Sequence, residues 1–135
     1  MKYNQFIELV QRRAHLASES EAKRATQATL ETLAAYISPK ERHDAASQLP
    51  KVIKDYMQQP FLGADKPPAP SPESNQTVED FYQRVSTLEG VPLETAREHA
   101  RAVMSVLREA LTEGEFKDIR DQLPPALYNE FFARR

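Results

Sequence analysis

Cysteine and tryptophan are absent from this 135-residue chain, and glycine occurs three times only, at Gly63, Gly90 and Gly114. Without cysteine there is no disulfide, no thiolate catalyst and no cysteine-ligated zinc or iron–sulfur centre. Three isolated glycines cannot build the loop that cradles a phosphate, so nucleotide binding is not expected. No stretch reaches the roughly eighteen apolar residues of a membrane span. Met1-Lys2-Tyr3-Asn4-Gln5 leads directly into an amphipathic pattern, without the apolar core of a signal peptide. The expected location is the cytoplasm, with no membrane contact. Net charge is −2, which lacks the basic excess of a dedicated nucleic-acid binder.

What is present is helix-forming: Ala, Leu, Glu, Gln and Arg are plentiful, and the β-branched alternation of strands is missing. The chain also carries its own pattern twice. Gln48-Leu49-Pro50 returns as Gln122-Leu123-Pro124 at an offset of 74, and Phe6 and Val10 return as Phe81 and Val85 at an offset of 75. The expectation is an all-α fold of two pseudo-equivalent repeats, about four helices each, packed into one helical bundle. Each half alone is too short to bury a comfortable core. The division is repeat one over 1–59, a Pro-rich linker over 60–76 holding five of the ten prolines, and repeat two over 77–135. Proline-rich composition makes such a linker extended and semi-rigid. Repeat one carries nine Lys/Arg against seven Asp/Glu and repeat two carries eight against eleven, so the halves have opposite signs.

The first helix is predicted over residues 4–14, with Phe6, Val10 and Ala14 on one face, and its counterpart begins at Thr77 with Phe81 and Val85 on the stripe. The second helix starts at Ser18-Glu19-Ser20-Glu21, a capping-box pattern, and its counterpart follows Pro92. Small residues at Ala22 and Ala96 predict a close crossing of the two. The third helices start at Ser38-Pro39-Lys40-Glu41 and Thr112-Glu113-Gly114-Glu115, again capping-box patterns. Both end at Leu-Pro, because the residue before proline is driven out of α geometry while the ring suits the start of a following helix. Leu49 and Leu123 are therefore predicted to be buried corners. Short fourth helices carry Val52, Ile53, Tyr56 and Met57 in one half, and Leu127, Tyr128, Phe131 and Phe132 in the other.

His15, His43 and His99 form no metal motif, neither His-Glu-x-x-His nor Glu-x-x-His, and are read as solvated or partly packed. No Gly-x-Ser-x-Gly elbow is present, and Ser18 and Ser38 are explained as caps. Glu41/Asp44 and Glu115/Asp118 recur at a spacing of three, placing each pair on one helix face. An acid/base pair or a cation site is the functional reading; solvated first-turn carboxylates that favour the helix dipole explain them better. Gln11-Arg12-Arg13 and Arg134-Arg135 are read as solvated helix ends. Arg42, Ala45 and Gln58 become Phe116, Ile119 and Phe132 in the second half, and this apolar excess is expected in the shared core rather than on a partner surface. Phe61-Leu62 is expected to fold back onto the bundle.

The opening Tyr3-Asn4-Gln5-Phe6-Ile7-Glu8-Leu9-Val10, the stretch from Ala96 to Ala110 (AREHARAVMSVLREA) and the two Gln-Leu-Pro corners resemble the bacterial domain-of-unknown-function family 2267. That resemblance implies tandem helical halves and assigns no activity or site residue. The functional expectation is a noncatalytic protein-interaction module, not an enzyme. It has no catalytic residues, no cofactor and no metal, engages an unidentified protein partner, and is a monomer or homodimer. The alternative is a binder of a small apolar ligand in the crevice between the repeats.

Overall fold

The computed structural model describes residues 1–58 and 78–132, so the Pro-rich segment, Thr77, Phe61-Leu62 and Arg134-Arg135 lie outside the described residues. The architecture is an all-α bundle with no strand among the described residues. Its helices are α1 (Tyr3–Arg13), α2 (Glu19–Ala34), α3 (Pro39–Ala46), α4 (Ile53–Met57), α5 (Val78–Glu89), α6 (Leu93–Ala110), α7 (Glu113–Arg120) and α8 (Pro125–Phe132). None of them is long and apolar enough to cross a membrane.

The hydroxyl caps act as the sequence predicts. Ser18 Oγ accepts from the Glu21 N–H at 3.1 Å, Ser38 Oγ from the Glu41 N–H at 3.1 Å, and Thr112 Oγ1 from the Glu115 N–H at 3.2 Å. Each satisfies one of the amides a helix start leaves unpaired. The glutamates do not complete the boxes. Glu21 reaches one residue too far back, to the Ala17 N–H at 3.1 Å, and Glu41 and Glu115 turn elsewhere.

α1 and α5 end alike. His15 takes φ 58 and Gly90 takes φ 78, left-handed conformations that let the next amide bond back onto the helix. Leu16 N–H meets the Gln11 carbonyl at 2.9 Å, and Val91 N–H meets that of Ser86 at 3.2 Å. Glycine suits this position because it has no Cβ; histidine occupies it at some strain.

α2 and α6 pack on each other, while α1 lies against both and α5 lies against both. Their inward faces make the core: Phe6, Val10, Leu30, Leu33, Phe81, Tyr82, Val85, Val103 and Leu107 are all fully buried. Ala22 and Ala96, where a close crossing is predicted, are also at 0% exposure. An aromatic cluster closes one end, with ring centroids 5.6 Å apart for Tyr36–Phe81 and 5.1 Å apart for Phe81–Phe131.

Leu49 and Leu123 are both buried, each 6% exposed, as expected of the Leu-Pro corners. The two corners then diverge. α8 begins at Pro125, immediately after the second, but α4 waits until Ile53 because Val52 sits at φ 81, ψ −57. A β-branched residue rarely tolerates that geometry. Pro50 therefore does not start a helix directly, contrary to expectation.

Candidate functional site: a carboxylate cluster between α3 and α7

α3 and α7 are short, begin with hydroxyl caps, and pack on each other. Their starts are joined by a reciprocal exchange. The Ser38 N–H donates to Gln122 Oε1 at 2.8 Å, and the Thr112 N–H donates to Gln48 Oε1 at 2.9 Å. Each glutamine belongs to a Gln-Leu-Pro corner and each amide is a helix cap. In a capping box these two amides belong to Glu41 and Glu115. The glutamines take them, and the glutamates are released from that role.

The released side chains converge. One oxygen from each of Glu41, Glu115 and Asp118 falls within 4.8 Å of the other two. Their burial is graded: Glu41 is 5% exposed, Glu115 is half-buried and Asp118 is exposed. Glu41 Oε2 and Glu115 Oε2 are both shielded from solvent and have no hydrogen-bond partner. Among the described residues no Lys, Arg or His forms an ion pair with any of the three; Lys40 pairs with Asp44 and Lys117 with Asp121. Burial pushes the Glu41 carboxyl up to about 8, reinforced by Glu115 beside it and then by Asp118 and Asp44. A proton on Glu41 would turn its contact with Glu115 into a donated hydrogen bond.

These carboxylates were read as solvated first-turn residues, and for Glu41 that reading is corrected. The reason lies in the packing of α7 over the start of α3, which covers the face that local spacing leaves open to water. Chemically, the cluster can hold a proton or a cation. Neither a nucleophile nor a phosphate cradle accompanies it among its members.

The histidines separate into two kinds. His15 is exposed in the turn after α1, and His43 is exposed on α3, where Gln58 Nε2 lies 3.3 Å from its Nδ1. His99 is buried, with Nδ1 2.5 Å from Glu89 Oε2, so it is more enclosed than the sequence implied. Glu89 also ties α2 to α5, since its carbonyl accepts from Arg24 Nη2 at 2.6 Å. The Glu89–His99 pair spans the α5–α6 turn at a separation of ten residues, which no metal or triad spacing would flag.

Of the basic cluster, Arg12 is a solvated partner of Glu8, as read. Arg13 instead crosses to α6, donating to Ser105 Oγ at 3.0 Å and to Glu109 Oε2 at 2.7 Å. Phe116 and Ile119 are 8% and 0% exposed and belong to the core; the Phe132 side chain lies outside the described residues. Arg108, Glu109, Glu113, Phe116, Lys117 and Arg120 line an open trough of about 600 Å³ beside α7. Arg108 lies 5.3 Å above the Phe116 ring, and Arg120 lies 5.3 Å above that of Tyr128.

The fold and this joint define an all-α helical bundle in which the short helices α3 and α7 meet through exchanged caps and a partly buried acidic cluster. The chain belongs to the family of uncharacterized conserved proteins DUF2267, whose model matches residues 3–129. No curated protein matches the chain.

Proposed function

We propose that this chain is a noncatalytic protein-interaction module which docks an acidic segment of a partner in the trough beside α7. The trough carries the reading. It is open, and two of its residues, Arg108 over the Phe116 ring and Arg120 over the Tyr128 ring, are held against aromatic faces, which preorganises them for carboxylates at small entropic cost. Glu109 is already engaged by Arg13, and Lys117 and Arg120 both reach Asp121, so Arg108, Lys117 and Arg120 outweigh Glu113 and Asp121 by a single positive charge. Arginine and aromatic side chains are also the types most enriched where proteins meet.

Two pseudo-equivalent halves are part of this reading, supported by the reciprocal cap bonds and by the matched turns at His15 and Gly90. A small apolar ligand between the halves is the weaker reading, because Phe116 and Ile119 are already packed in the core. The test is affinity capture from the native cell extract with wild type and an Arg108→Glu/Arg120→Glu double variant. A protein held by wild type and lost by the variant supports the proposal. One held equally by both, or none held by either, overturns it.

A further inference from the structure

We propose that Glu41, Glu115 and Asp118 form a divalent-cation site at the joint of α3 and α7, suited to a hard, oxygen-seeking ion of the Ca²⁺ class. The inference is independent of the trough and of any partner.

The three donor atoms all fall within 4.8 Å of one another, close enough for one ion to reach all three. Mg²⁺ demands near-ideal octahedral geometry and gives up its waters reluctantly, which side chains from two separate helices meet less well than the flexible shell of Ca²⁺. All donors are carboxylate oxygens, with no nitrogen or sulfur to favour zinc or copper.

An acidic cluster by itself is commonplace, and two further features set this one apart. Glu41 is 95% buried by its 5% exposure, yet its Oε2 has no partner, and Glu115 Oε2 is shielded and unpartnered beside it. Among the described residues no donor from elsewhere in the protein reaches these oxygens, so either a proton held between Glu41 and Glu115 or a bound cation must offset them, and Asp118 beside them gives the cation a third ligand. The fold also maintains their freedom actively. Gln122 and Gln48 occupy the cap amides that these glutamates would otherwise accept from, so both side chains remain available. Asp118 is exposed, giving the ion an entrance and room for the waters that complete its shell.

The consequence is a clamp: one ion drawing α3 and α7 together, bonded from both halves of the sequence. The full chain, stripped with chelator, is titrated with CaCl₂, MnCl₂ or MgCl₂ by isothermal calorimetry at pH 7.5, and its thermal midpoint is followed in parallel. The expected result is one Ca²⁺ per chain at about millimolar Kd or tighter, Mg²⁺ weaker, and a raised midpoint. Asp118→Asn, which alters an exposed residue and leaves the fold intact by circular dichroism, weakens Ca²⁺ binding about tenfold or more. Glu115→Gln does the same. No heat and no midpoint shift up to about 10 mM of any of the three ions overturns the site. So does Ca²⁺ binding that both variants leave unchanged, and either result leaves a carboxyl pair that only shares a proton.

Discussion

The backbone N–H of Ser38 is capped by the side chain of Gln122, 84 residues away, at 2.8 Å. Thr112 and Gln48 repeat the arrangement in the opposite direction at 2.9 Å. Helix starts are usually satisfied by residues within one turn. Here each short helix depends on the corner that ends the other.

Removing one of these bonds is expected to be modest and removing both to be coupled. Gln122→Ala and Gln48→Ala should each lower stability by about 0.5–1.5 kcal/mol, towards the lower end because the bonds are exposed. Urea unfolding of the two single variants and the double variant checks this. A double variant whose loss is simply the sum of the singles would mean that the two bonds do not share one joint.

Leu123→Ala should cost about 2–5 kcal/mol, since the side chain is 6% exposed and belongs to the core. The urea midpoint reads it directly. An unchanged midpoint would remove Leu123 from the core.

Thr29 is fully buried on α2 with an unpartnered hydroxyl, and the residue 74 positions later on α6 is Val103. Thr29→Val keeps the shape and deletes the unsatisfied group, so stability should rise by about 1 kcal/mol. Loss of stability would show that the hydroxyl has a partner after all.

In chelator-treated protein, stability should fall as pH rises from about 4.5 to about 8. Glu41 is raised to about 8 in the fold by burial and by Glu115, so the folded chain keeps its proton where the unfolded chain, with an ordinary carboxyl, has lost it. The folded state then binds more protons across that window, and the unfolding free energy declines with pH until Glu41 is ionised in both states. Glu41→Gln, neutral at every pH, should flatten this slope. Thermal midpoints at several pH values, with Lys40 and Asp44 intact as the remaining nearby pair, measure it.

Much of the fold was legible in the residues. The caps at Ser18, Ser38 and Thr112, the corners at Leu49 and Leu123 and the burial of Ala22, Ala96 and Ile119 all follow from local chemistry and helical spacing. The cluster was half legible. Spacing placed Glu41 and Glu115 on the first turn of their helices, but a local pattern reads such residues as cap partners facing water. Only the packing of α3 on α7 shows that a distant glutamine has the amide and that Glu41 is enclosed. His99 and Glu89 escaped notice for a related reason, since their pairing depends on how tightly the turn at Gly90 folds α5 back along α6. Val52 likewise lies in a stretch with no glycine or asparagine to announce a positive φ.

The crossed caps also have a meaning in time. A ribosome delivers Ser38 long before Gln122, so the emerging first half begins α3 with an amide that water alone can satisfy. The same is true of the space beside Glu41, which stays open until α7 arrives to cover it. The joint is thus finished only once α7 and the corner after it have been made.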